Sequence, residues 1–404
     1  MTYDECLSFL FHQLPAFQRI GAAAYRKDLR NTLALASAYD NPEEGLKCVH
    51  IAGTNGKGST AHALAAVFQA CGYRTGLMTS PHFVDFRERI KVDGKMISKD
   101  YVKEWVSQFQ GKKLPIDPSF FELTVIMGFC YFKHLDVDIA IVETGMGGRL
   151  DSTNIVSPEL SVITAIAFDH TAFLGETLEA IALEKSGIIK QDTPVVIAPM
   201  NEEVLPILAS VAEDRNAELH TSAQHIETIH TDLQGAYQQL NMSTVLKSVE
   251  LLRQQGWDLA TNAVTEGLNK VQELTGMMGR YQTLSKKPRI IVDSAHNPKG
   301  IDALLDNLKD EKYKELHVVI GMVTDKDVDA VLSMMPLGAT YYFCQAKVLR
   351  ALSCDLLGQQ GMRLGLVGEC HGSVKAALTA AKEAAGPEDI ILVTGSVFVV
   401  AEVL

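Results

Sequence analysis

At 404 residues the chain is longer than one hydrophobic core usually supports, so two domains are expected. Its 47% hydrophobic and 21% charged content is that of an ordinary globular protein and excludes a disordered or fibrous chain. A formal net charge of -12 argues against nucleic acid as a partner, but a locally positive pocket for small anions stays compatible with it.

Asp4 and Glu5 precede any apolar run, which is not the pattern of a signal peptide, and no apolar stretch is long and charge-free enough to span a bilayer. A cytoplasmic location without a membrane partner is expected. The seven cysteines, Cys6, Cys48, Cys71, Cys130, Cys344, Cys354 and Cys370, have neither zinc-knuckle nor redox-pair spacing. They are expected to be reduced thiols packed as small apolar residues.

Cys48–Ala52 reads as a strand, followed by a helix with Ala63, Leu64, Val67, Phe68 and Cys71 on one face and Gly72 at its end. Val137–Val142 and Leu160–Ala167 are further buried strands, and a helix is expected over Thr177–Lys185. From Pro288 the alternation restarts, with strands at Arg289–Asp293, Leu316–Gly321, Tyr341–Cys344 and Ile390–Thr394. This βαβ alternation predicts an α/β protein with parallel, doubly wound sheets. The boundary falls near Gly279–Lys287, giving domains 1–282 and 283–404, without solenoid repeats or low-complexity segments.

The segment Gly53-Thr54-Asn55-Gly56-Lys57-Gly58-Ser59 follows a strand and opens a helix. Glycines let backbone N–H groups turn inward, the helix start adds positive potential, and Lys57 adds a point charge, which together suit nucleotide phosphates. The strict P-loop pattern is not met: Ile51 occupies the place of its first glycine, and Gly58 separates Lys57 from Ser59. A tight strand-to-helix turn with an incidental lysine is the plainer alternative.

Glu143 ends an apolar strand and is followed by Thr144-Gly145-Met146-Gly147-Gly148-Arg149. A strand-end carboxylate beside a phosphate loop is well placed to hold magnesium, although for Glu143 alone a solvated side chain would be the favoured reading. The glycines after it lack the G-x-G-x-x-G spacing of a dinucleotide fingerprint. The next strand ends in Asp169-His170, where His170 reads equally as a metal ligand or a structural residue. Lys185 and Lys190 lie near a helix end, where they could simply complement the helix dipole.

The ordered set of Gly53–Ser59, Thr79-Ser80-Pro81-His82, Glu143 through Asn154, Asp169-His170, Glu184-Lys185-Ser186-Gly187 and Ser294-Ala295-His296-Asn297-Pro298 resembles the folylpolyglutamate synthases. That family, often bifunctional with dihydrofolate synthase, is part of the Mur ligase superfamily, and the resemblance runs through Thr394-Gly395-Ser396. It implies an N-terminal P-loop-like ATPase domain, a smaller Rossmann-like C-terminal domain and an active site in the cleft between them. By motif, Gly53 to Ser59 would cradle ATP, Ser80, Glu143 and His170 would hold magnesium, and Lys185 would be carbamylated and help hold a second ion. Asn241, Arg280 and Asp293 match ATP-binding positions, and the catalytic set would be Lys57, Lys185 and His296. The folate would lie against Phe121, Glu122, Leu150, Asp151 and Ser152, with help from the stretch near Arg26.

The chain departs from the family where Met277-Met278-Gly279 replaces Trp-Pro-Gly and where Leu349-Arg350-Ala351 replaces Pro-Arg-Ala. The implied reaction joins L-glutamate to dihydropteroate or a reduced folate through an acyl phosphate, with a monomer acting on small molecules. A cell-wall ligase of the same superfamily and a nucleotide switch without ligase chemistry are the competing readings.

Overall fold

The computed structural model describes residues 1–16, 28–224 and 229–404. By its internal contacts the chain forms two compact units. The first takes Met1–Ala167, Thr171–Asp232 and Gln238–Met277, and the second takes Phe168–His170, Leu233–Tyr237 and Met278–Leu404.

The first unit is built on eight strands: β1 (Cys48–Ala52), β2 (Thr75–Met78), β3 (Ile90–Val92), β4 (Lys95–Met96), β5 (Ile139–Glu143), β6 (Leu160–Ile163), β7 (Val195–Ile197) and β8 (Leu219–Thr221). Their order is β4-β3-β2-β5-β1-β6-β7-β8. From β2 to β8 every pairing is parallel, with Cys48 opposite Ala140 and Val49 opposite Leu160, so β1 runs between β5 and β6. These central strands are buried along their whole length, as expected of near-continuous apolar runs in a sheet covered on both faces. The β3–β4 hairpin pairs antiparallel and ends the sheet, an addition to the all-parallel expectation.

The helix after β1, Lys57–Ala70, was expected to bury one face. Instead every residue from Ser59 to Phe68 is buried. The sheet covers one side, while helices Gln238–Gln254, Thr261–Asn269 and Val271–Thr275 cover the other. Gly267 permits this second contact, since a Cβ there would lie 2.8 Å from the Ala66 carbonyl and from the Val67 Cα.

The second unit has six strands: β9 (Gln282–Lys286), β10 (Arg289–Val292), β11 (Leu316–Ile320), β12 (Thr340–Cys344), β13 (Val367–His371) and β14 (Ile390–Thr394), in the order β13-β12-β11-β14-β10-β9. All pairings are parallel except β9 with β10, which again closes an edge with an antiparallel strand. Residues 278–282, 168–170 and 233–237 group with this unit although the sequence boundary put them in the first. Asp293 explains part of the regrouping: its carboxylate accepts the Tyr237 hydroxyl at 2.9 Å and the Tyr281 amide at 2.8 Å.

One expectation is overturned. Cys354 and Cys370 form a disulfide, and only Cys6, Cys48, Cys71, Cys130 and Cys344 are free. The separation of 16 residues carries no spacing signal, because helix Cys354–Arg363 packs on β13 and tertiary contact alone brings the Cα atoms to 5.4 Å. Among the described residues no helix is long and apolar enough to cross a membrane.

Candidate active site

The loop between β1 and the Lys57–Ala70 helix is shaped by two glycines. Gly53 has φ 151° and a Cβ there would meet the Thr164 hydroxyl at 1.9 Å; Gly56 has φ 94° and a Cβ there would meet the Asn241 side-chain oxygen at 2.4 Å. No other residue fits at either place without displacing a neighbour. The loop is also pinned to the chain after β6: the Thr54 amide donates to the Ala165 carbonyl at 2.7 Å, and its hydroxyl exchanges bonds with Ala167 at 3.0 and 3.1 Å.

Two lysines converge on this loop. The Lys57 ammonium donates to the Gly53 and Thr54 carbonyls at 3.0 and 3.2 Å, and the Lys185 ammonium donates to the same Gly53 oxygen at 2.8 Å. Lys185 is only 3% exposed although it stands in the last turn of helix Leu178–Ser186, so the solvated dipole-partner reading does not describe it. Close packing sets its position. Gly148 lies under the Glu184 and Lys185 carbonyls, and Gly187 lies under the Arg149 backbone, each too near for a Cβ. The Arg149 amide and guanidinium both donate to Glu184 at 2.7 Å.

Glu143, at the end of β5, is buried, and its Oε2 accepts the Ser80 amide at 3.0 Å. A Cβ on Gly58 would stand 3.9 Å from both carboxylate oxygens, so the start of the Lys57–Ala70 helix faces this group. Hard oxygen donors, a carboxylate and the neighbouring Ser80 hydroxyl, fit a magnesium-like cation. A further charge stands here that motif reading missed. Arg89 is buried; burial pushes it down to about 10, while Glu143 and Glu88 favour its charged form. Its Nε donates at 2.7 Å to Nδ1 of His82, a ring pushed down to about 3 by burial and by the Arg89 charge, and therefore neutral. The guanidinium also covers the Phe120 ring at 5.1 Å. The run Arg87-Glu88-Arg89-Ile90-Lys91 reads as a charged surface segment, and only the fold reveals that Arg89 and Lys91 point inward.

The expected folate residues divide. Phe121 packs over Gly145, where a Cβ would lie 2.4 Å from the ring. Glu122 and Asp151 are committed to backbone caps: Glu122 accepts the Ser119 amide at 2.6 Å, and Asp151 accepts the Met146 and Thr153 amides at 2.9 and 3.0 Å. Burial raises the Asp151 carboxyl above its ordinary value, and these bonds oppose the shift. Leu150 and Ser152 flank it, and the stretch near Arg26 lies outside the described residues.

In the second unit Asp169 is a polar hub. Its carboxylate lies 3.4 Å from His296 Nε2 and 3.9 Å from His170 Nε2, accepts Asn297 Nδ2 at 3.2 Å, and bonds the Lys326 ammonium. Burial opposes its ionisation, but His296, His170 and Lys326 together hold the carboxyl well below the ordinary range. His296 is oriented from its other side, Nδ1 lying 2.8 Å from the Ser294 carbonyl. Burial raises the Asp293 carboxyl, and the Arg280 charge counters that shift. Arg350 donates to both carboxylate oxygens of Asp325 at 2.7 Å, whereas its neighbour Leu349, where the family pattern has proline, is 81% exposed.

A lysine-bearing glycine loop after a central parallel strand, with a buried carboxylate at the next strand end, defines a nucleotide-binding α/β enzyme. Residues 51–260 match the Mur ligase middle domain and residues 279–397 the Mur ligase glutamate ligase domain. The chain is 32% identical to the Lacticaseibacillus casei folylpolyglutamate synthase over 82% of each protein. It is also 32% identical to the Escherichia coli dihydrofolate synthase/folylpolyglutamate synthase, over 88% of this chain and 85% of that protein. It is 34% identical, over its full length, to a probable bifunctional folylpolyglutamate synthase/dihydropteroate synthase of Haloferax volcanii, of which it spans 50%. The structure is similar to E. coli FolC in complex with DHPP and ADP, with a TM-score of 0.87, 28% identity and coverage of 100% of this chain and 97% of that one. A bifunctional folylpolyglutamate synthase/dihydrofolate synthase with Mn, AMPPNP and L-glutamate bound gives a TM-score of 0.85 at 26% identity, with coverage of 100% and 97%. The chain therefore belongs to the Mur ligase superfamily, in its folylpolyglutamate synthase/dihydrofolate synthase branch, and is an ATP-dependent acid–amino-acid ligase.

Proposed function

We propose that this enzyme joins L-glutamate to the free carboxylate of dihydropteroate and of reduced folates, driven by ATP. The observation that carries the reading is the convergence of the Lys57 and Lys185 ammonium groups on the Gly53 carbonyl, within a loop where Gly53 and Gly56 admit no side chain. Relatives named for both reactions, and similar structures holding ADP, AMPPNP, DHPP or L-glutamate, support the substrate set.

A carboxylate is a poor electrophile and must be activated before an amine attacks it. In our reading the folate carboxylate takes the γ-phosphoryl group of ATP, releasing ADP, and the glutamate amine then displaces phosphate from the acyl phosphate. Gly53 to Ser59 present backbone N–H groups to the phosphates, and Lys57 turns its ammonium from the loop carbonyls toward them. Ser80 and Glu143 are the proposed cation donors of the first unit. A bound divalent cation neutralises charge on the phosphate oxygens. Asn241 is held beside Gly56, where it meets the nucleotide, and Phe121, Leu150 and Ser152 form the proposed pterin-side surface. In the second unit the same reading gives His170 to the cation, Arg280 and Asp293 to the nucleotide, and His296 to glutamate, with Asp169 orienting both histidines. We further propose that Lys185 carries a carbamate that helps hold a second ion, and that the enzyme works as a monomer in the cytoplasm.

ADP release should depend on glutamate with either dihydropteroate or tetrahydrofolate as acceptor. Release with tetrahydrofolate alone would remove the first activity; release only with a muramyl-peptide precursor would replace the reading with a cell-wall ligase. Glutamate-independent hydrolysis unaffected by any acceptor would favour a nucleotide switch.

Glu143→Ala should raise the magnesium concentration needed for half-maximal activity about tenfold or more, the scale on which lost cation contacts act. A magnesium titration of ADP release checks this, and an unchanged midpoint would remove Glu143 from the cation site.

A further inference from the structure

The geometry points to a second cation site, at the opposite end of the second unit's sheet from Asp293, Lys326 and Ser396. We propose that His317, Asp389 and Glu315 bind one divalent transition-metal ion, of the zinc class, where β11 and β14 begin.

These strands are adjacent and parallel, with His317 opposite Ile391 and Leu316 opposite Ile390, so their N-terminal ends share one edge. One ligand atom from each of the three side chains lies within 4.8 Å of the others. His317 is 3% exposed; its Nε2 has no hydrogen-bond partner and lies 3.6 Å from Asp389 Oδ2, too far for a hydrogen bond but suited to two donors on one ion. A buried ring nitrogen left without a partner costs stability unless a proton or a metal satisfies it.

The neighbours prepare the ligands. The Asp389 carboxylate is held by the Glu315 amide at 3.0 Å and the Gly386 amide at 2.6 Å. The other ring nitrogen of His317, Nδ1, lies 3.0 Å from the Tyr342 hydroxyl. With Nδ1–H donating to the Tyr342 hydroxyl oxygen, Nε2 keeps its lone pair for an ion, the usual outer support of a ligating histidine. The adjacent Lys314 is paired with Glu388 at 2.5 Å. Glu315 is exposed, and rotation of its side chain brings it onto the ion. One imidazole with two carboxylates suits zinc or a similar ion better than magnesium, and the fourth position stays open to water. Such an ion would tie together the starts of the two central strands.

The test is equilibrium dialysis of the metal-free full chain against zinc alone, without nucleotide, followed by the visible spectrum with cobalt(II). Wild type should bind one ion that survives Glu143→Ala and also survives the double variant Cys354→Ser/Cys370→Ser. His317→Gln should abolish that binding and the cobalt absorption, Glu315→Gln should weaken it, and Tyr342→Phe should weaken it about 10- to 100-fold. Zinc should raise the melting temperature of wild type but not of His317→Gln. If His317→Gln does not fold, the exposed Glu315→Gln and Tyr342→Phe carry the comparison. No zinc bound by wild type, equal binding by all variants, or loss only with Glu143 or the cysteine pair would overturn the proposal and leave a plain histidine–carboxylate contact.

Discussion

Lys57→Ala is expected to lower glutamate-dependent ADP release by about 10²- to 10³-fold, the loss that follows removal of one preorganised group from a developing charge. The fold should survive. Lys57 is the first residue of its helix, where alanine is a better helix former and a cation is unfavourable next to the positive end of the dipole. Against this, the variant loses two bonds to the Gly53 and Thr54 carbonyls, each worth about 1 kcal/mol. The effects oppose each other, so the melting temperature should move little while turnover collapses. Steady-state kinetics beside a thermal melt separates the two outcomes. Near-normal turnover would sink the phosphate-loop assignment, and a collapsed melting temperature would make Lys57 a structural residue.

Lys185→Ala should also lose nearly all activity, and a short carboxylic acid such as acetate should partly restore it. The physical basis is the shared Gly53 oxygen: two ammonium groups held by one carbonyl repel each other across a few ångströms of buried space. Releasing one proton relieves that repulsion. The neutral amine can then attack carbon dioxide, forming a C–N bond and releasing a second proton, which leaves a carbamate anion beside the Lys57 cation. Acetate would place a carboxylate where that anion stands. Lys185→Met, which keeps the length but fills the space, should be inactive and resist rescue, because no room remains for the acid. A carbamate signal after equilibration with ¹³C-bicarbonate gives a readout independent of activity. Full activity of Lys185→Ala without added acid or bicarbonate would refute the modification.

Much of the centre of each unit was legible because parallel strands buried on both faces leave unbroken apolar runs. Cys48–Ala52 and Ile390–Thr394 form over the expected residues, and the helix expected at Thr177–Lys185 forms one residue later, at Leu178–Ser186. The glycine loop and the strand-end Glu143 could be singled out from local pattern, which a sequence displays directly, whereas the role expected of Lys185 came from the family resemblance.

What the sequence could not display depends on contacts between distant segments. The hydrophobic pattern of Lys57–Ala70 is that of a one-sided helix, and only the packing of Thr261–Asn269 through Gly267 buries its other side. Arg89 looks like a surface charge, yet as the last residue of the short helix Phe86–Arg89 it is buried beside Glu143 and His82. Glu122 and Asp151 look like substrate carboxylates, yet Glu122 Oε2 and both Asp151 oxygens accept local amides. Cys354 and Cys370, 16 residues apart, meet because a helix folds back on the strand that follows it. By itself, then, the sequence determined strands, helix starts and the glycine-rich loop, all consequences of local spacing and periodicity. Tertiary structure decided which charges are buried, which carboxylates stay available and which thiols meet, because those depend on neighbours that no spacing along the chain encodes.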